Sequence, residues 1–75
     1  MVKVKEVLKV NKNTAILVCD MFSDADVKSV IRSNIGVHKR FEIEQVRPCF
    51  SNPTARNIVL FGSEDHAKIT EIEFE

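Results

Sequence analysis

Both ends of the chain alternate apolar and charged residues with a period of two. Near the start, "VKVKEVLKV" (2–10) puts Val2, Val4, Leu8 and Val10 in one phase and Lys3, Lys5 and Lys9 in the other. At the end, "KITEIEFE" (68–75) sets Thr70, Ile72 and Phe74 against Glu71, Glu73 and Glu75. Side chains two apart fall on one face of a strand, so both segments are predicted as half-buried strands. The acidic phase of the last one would discourage edge-to-edge association. Two further segments, "TAILVCDMF" (14–22) and "NIVLFG" (57–62), are apolar in both phases for most of their length. That pattern predicts strands covered on both faces.

The connections carry turn chemistry. "NKNT" (11–14) joins the first two strands as a hairpin, because asparagine tolerates the left-handed region and bonds its own backbone. In "SDADVKSVIRSN" (23–34), Ser23 and Asp26 resemble a capping box, and Val27, Val30 and Ile31 follow at helical spacing. A short helical segment is expected near residues 24–32, stopped by Asn34 or Gly36 at positive φ. "VHKRFEIEQV" (37–46) then reads as a strand with Val37, Phe41 and Ile43 inward and Lys39 near its entrance. His38, Arg40, Glu42 and Glu44 point outward. Val46 is out of phase, and a bulge near Glu44-Gln45 would return it to the core. The outward face runs from basic to acidic, which suits a solvated or cross-strand-paired face and not a phosphate track. "CFSNPTARN" (49–57) is predicted as a loop around Ser51, Asn52 and Pro53, and Gly62 opens a turn in "GSEDHA".

Five or six short strands without regular βα alternation indicate a small sandwich or barrel. The expected fold is all-β, a small closed or partly open barrel of five or six strands plus the helical segment, in one domain spanning residues 1–75. At 75 residues, 44% of them apolar, such a chain buries only about 60% of its unfolded surface. Its strands must pack well or find a partner. "MVKVKEV" has no apolar h-region or small-residue cleavage site, and "AILVC" is far too short to cross a bilayer. The expectation is a cytoplasmic protein with no membrane contact.

Eleven basic and eleven acidic residues cancel, whereas a dedicated nucleic-acid module is more often strongly basic. Cys19, inside "TAILVCDMF", is expected to be a buried thiol; Cys49, beside Pro48 and near Arg47, is expected to lie nearer solvent. His38 and His66 are isolated, with no paired ligand spacing, so no metal site is predicted. His66, in the acidic "SEDHAK", is expected to be solvent-exposed. Asp24 and Asp26 lack the glycine and trailing glutamate of a calcium loop and suit capping better. No base stands beside Cys49 or a serine, and Gly36 and Gly62 are each alone. Neither catalysis nor a cofactor is expected, and no small-molecule substrate is evident. With no Trp or Tyr, Phe50 is the candidate for base stacking. Arg32, Lys39, Arg47 and Arg56 are the candidate contact residues. Gathered into one basic patch they would favour nucleic acid, while an exposed apolar patch would favour protein.

"FEIEQV", alternating after a polar turn, and "NPTARNIVLFG", an alanine-containing loop leading into a short apolar strand, resemble the β-barrel that forms the second domain of translation GTPases such as elongation factor Tu. "VKVKEVLKVNKNTAILVCD" is compatible with that barrel's opening strands, so the resemblance covers most of the chain. Arg56-Asn57 stands where the family usually has a glycine, and residues 23–34 would be a helical insertion. The resemblance implies a barrel that contacts aminoacyl-tRNA or ribosomal RNA, although no residue here matches a functional motif of the family. The expected function is a small non-enzymatic binding or accessory module contacting RNA or a translation-related partner. The alternative is a subunit that docks a larger protein through a strand edge or its acidic last strand.

Overall fold

The computed structural model describes residues 1–21, 23–61 and 66–75. Six strands follow one another: β1 (Val2–Asn11), β2 (Thr14–Asp20), β3 (Val30–Ser33), β4 (Arg40–Pro48), β5 (Ala55–Phe61) and β6 (Glu71–Phe74). They close into a barrel in the order β1-β2-β5-β4-β3-β6, with every neighbouring pair antiparallel. Among the described residues no helix is long and apolar enough to cross a membrane.

The expected helix near residues 24–32 is not there. Ala25 N–H does donate to the Ser23 hydroxyl (3.4 Å), and Val27 N–H closes one turn onto Asp24 O (3.1 Å). The chain then extends, and Val30–Ser33 becomes β3 between β4 and β6. A helix here would leave the barrel open on that side. β-branched Val30 and Ile31 suit a strand, and Ile31 is fully buried between Phe41 and Phe74. Tertiary pairing overrides the local helical spacing. The single helical element among the described residues is a 3₁₀ turn, His66–Lys68, lying against β1.

Two bulges set which side chains enter the barrel. One, between Ile43 and Gln45 on β4, lies where the phase of Val46 required it: Ile43 faces Leu60 and Val46 faces Ile58. The other, between Val4 and Glu6 on β1, has no counterpart in the sequence reading. It switches phase, so Val2, Val4 and Val7 pack on the core, whereas Leu8 and Val10 are exposed rather than buried with them. One extra residue on a strand flips everything after it to the other face.

The core is filled from all six strands by Val4, Leu17, Ile31, Phe41, Leu60 and Ile72, with Cys19, Ile58 and Ile69 beside them. Cys19 is buried as expected, its Sγ contacting Leu17 O at 3.7 Å, and the desolvated thiol is pushed up to about 12. The expectation for His66 was wrong. It is 1% exposed, its ring 5.1 Å from that of Phe41. Val37, expected inward, is 96% exposed. It sits in the β3–β4 loop, where Gly36 (φ 58°) and His38 (φ 52°) adopt the left-handed region. That loop is closed by Lys39 O, which accepts from both the backbone N–H (2.8 Å) and the hydroxyl (2.7 Å) of buried Ser33. Gly36 thus has positive φ as anticipated, but it turns a hairpin and caps no helix.

The β4–β5 loop is shorter than expected, because Ala55–Asn57 already belong to β5. Asn52 organises it as an Asx-type turn, its Oδ1 accepting from Thr54 N–H (3.0 Å) and Thr54 Oγ1 (2.8 Å). The turn anticipated after Gly62 lies outside the described residues.

Candidate functional site

Strand register places the four candidate cations at opposite ends of the barrel. Arg32 and Lys39 belong to the end where β3 and β4 meet their loop, whereas Arg47 and Arg56 lie where β4 passes to β5. Lys39 and Arg47 are eight residues apart along an extended chain, roughly 25 Å at the usual rise. No single basic patch joins the four.

Each is also engaged locally. Arg32 and Arg40 stand directly opposite one another on β3 and β4, a repulsive pair unless an anion sits between them. Glu75 supplies it: Oε1 accepts from Arg32 Nη2 and from Arg40 Nη2 (3.0 Å), and Oε2 lies 2.7 Å from Arg40 Nε. Arg56 is bonded to Asp24 Oδ1 (3.1 Å), Ala55 O (2.9 Å) and Pro53 O (3.5 Å), tying two loops together. Lys39 Nζ sits over the Phe41 ring, 5.4 Å from its centre, and Arg47 Nε donates to Gln45 Oε1 at 2.9 Å.

The hydrogen bond from Arg32 is the main cause that holds the Glu75 carboxyl below its usual value of 4.5; burial opposes it, and the hydrogen bond from Arg40 and the charges of both arginines add to the lowering. A carboxylate with a depressed folded pKa stabilises the fold above its unfolded pKa and loses that contribution as pH falls through the folded value. Urea midpoints should therefore fall as pH drops below about 4.5. Part of that drop should vanish in Glu75→Gln. Parallel pH profiles for the two proteins would show that the clasp adds nothing.

Cys49 is partly exposed, and its thiol is lowered from 9.0, first by the Ser51 hydroxyl 3.4 Å away. Backbone bonds from Ser51 and Asn52 and the nearby charge of Lys5 act the same way, against some desolvation. Phe50, next along the loop, is 99% exposed. Among the described residues no group of three His, Cys, Asp or Glu side chains could hold a metal ion.

A second surface emerges from the register alone. Outside the barrel, two rows cross four strands: Glu6–Val18–Asn57–Arg47 and Leu8–Ile16–Val59–Gln45. Thr14 and Phe61 begin a third. Ala15, Leu17, Ile58 and Leu60 are completely buried inside the barrel, so the alternate residues Ile16, Val18, Val59 and Phe61 face outward, although Val59 is only 5% exposed there. Leu8 is 43% exposed and Phe61 49%. Among the described residues, no strand or 3₁₀ turn packs over this face. Phe61, expected to be fully buried, instead lies at its margin. The opposite outer surface, carried by β3, β4 and β6, shows Arg32, Arg40, Glu42, Glu71 and Glu73.

The apolar outer face was missed, although its signal was present in the two central segments that do not alternate. An antiparallel strand with one solvated face should alternate; β2 and β5 do not, and they are neighbours. No family model matches the chain, and no curated protein or solved structure matches it.

Proposed function

We propose that the chain is a small non-enzymatic binding module of translation-barrel type that works by holding a protein partner on the outer face of β1, β2 and β5. One observation carries this: adjacent strands β2 and β5 are apolar on both faces, and the outer one shows exposed Leu8 and Phe61 and half-buried Ile16 and Val18, with Val59, only 5% exposed, beside Ile16. Contiguous exposed apolar surface rimmed by polar residues is the mark of an interaction site. The barrel type is supported by "FEIEQV" and "ARNIVLF" standing as paired neighbours, in β4 and β5, in a closed antiparallel barrel. Docking through the last strand is less well supported, since β6 is paired with β3 on one side and β1 on the other.

Capture of partners with the native chain as bait, with and without nuclease, tests the proposal. Protein retained after nuclease, lost with Ile16→Lys and kept with Phe50→Ala, is the expected result. Ile16 is half-buried on the outside of the barrel, so the fold should survive, and circular dichroism would check it.

A second reading rests on Phe50, a fully exposed aromatic three residues from Arg47. Such a pair suits single-stranded RNA, by stacking on the ring and neutralising a phosphate. Anisotropy titrations with a labelled single-stranded RNA would favour it over the first if binding depended on both Phe50 and Arg47. That binding should also fall steeply with salt.

A further inference from the structure

We propose that the partner of the outer face is a second copy of this chain, joined in a two-fold dimer with β2 of each barrel against β5 of the other. The inference rests on reading that face as a protein-binding surface, and it follows from how charge is arranged around the apolar centre. In the row Glu6–Val18–Asn57–Arg47, an exposed acid stands at the β1 edge and an exposed base at the β4 edge. Three strand spacings, about 14 Å, separate them.

A two-fold axis parallel to the strands and midway between β2 and β5 exchanges these two edges. It carries Glu6 of one copy onto Arg47 of the other, and Arg47 onto Glu6. The same rotation sets Ile16 against Val59, Leu8 against Gln45 and Val18 against Asn57. An isologous interface requires this kind of self-complementarity. Two twisted sheets can stack face to face in such an arrangement. Two other exposed charges flank the rows at the bulges, Lys5 beside Glu6 on β1 and Glu44 beside Gln45 on β4, while Lys12 and Asp20 lie beyond the ends of the rows. A like-charged rim would have opposed the same rotation, and a foreign partner would not need the acid and base to be related by it.

Sedimentation equilibrium from about 1 to 500 µM tests the proposal, a range chosen because small interfaces are typically weak. The native chain should dimerise within that range. Glu6→Arg alone and Arg47→Glu alone should each weaken the dimer by tenfold or more, since each sets like charges together. The double variant Glu6→Arg/Arg47→Glu should restore it, because the swap re-forms both pairs. Both substitutions are at exposed positions, and thermal melts followed by circular dichroism check that each of the three variants folds. A native chain that stays monomeric at 500 µM overturns the proposal, as does a double variant no tighter than the singles. In the monomeric case, binding of 8-anilinonaphthalene-1-sulfonate that is lost with Ile16→Lys would leave the face as a site for another protein. A monomer that does not bind the dye would remove both readings.

Discussion

Phe41→Ala is expected to cost about 3–5 kcal/mol, the usual range for deleting a buried aromatic ring. Phe41 is 4% exposed, opposite Ile31 across the β3–β4 ladder, with the His66 ring against one side and Lys39 Nζ over its face. Removing it leaves a cavity at the junction of two strands and the 3₁₀ turn, uncovers the buried His66 ring and takes away the aromatic face beneath Lys39 Nζ. A domain of this length has a total stability of only about 4–11 kcal/mol, so the variant should be largely unfolded or close to it. Val37→Ala is the internal control. Its side chain is 96% exposed four residues earlier, and it should change stability by less than about 0.5 kcal/mol. Urea titrations followed by circular dichroism measure both. A Phe41→Ala protein within about 1 kcal/mol of the native chain would mean that this barrel does not depend on its aromatic centre.

The two thiols should differ in alkylation rate by about a thousandfold or more near pH 8. The thiolate is the reacting species. Cys19, desolvated between the sheets, is pushed up to about 12, while Cys49 is lowered from 9.0 by Ser51 and its neighbours. Burial of Cys19 adds a steric barrier, so its labelling should follow global unfolding and accelerate in urea. Iodoacetamide labelling with mass-spectrometric readout separates the two sites. Comparable rates in the native protein would show that β2 opens locally, which a strand bonded on both sides by β1 and β5 should not do.

Much of this architecture is legible without coordinates. The alternation of "KITEIEFE", the asparagine turn of "NKNT" and the out-of-phase Val46 each encode a local rule, and β6, the β1–β2 hairpin and the β4 bulge follow them. Errors cluster where a local pattern competes with a distant one. Val27, Val30 and Ile31 have helical spacing, but Ile31 gains more by pairing with Phe41 and Phe74 than one short helix could offer. His66 is flanked by acids in sequence, yet the 3₁₀ turn carries it inward against Phe41. The bulge after Val4 cannot be seen in "VKVKEVLKV", because an uninterrupted period of two fits those residues equally well.

The candidate surface divides in the same way. The two doubly apolar segments are a property of the sequence, and so are the acid at Glu6 and the bases from Arg32 to Arg56. Strand content, most turns and the identity of the side chains that need cover are therefore encoded locally in the residues. Which elements supply that cover depends on the closed barrel. Barrel closure sets β2 beside β5, gathers their outer side chains into one patch and places Glu6 and Arg47 at its two edges. It also divides the candidate cations between opposite ends and binds Glu75 across Arg32 and Arg40. The reason is physical: alternation and turn propensity act over a few residues, whereas strand order and register are settled by which pairings bury the most apolar surface across the whole chain.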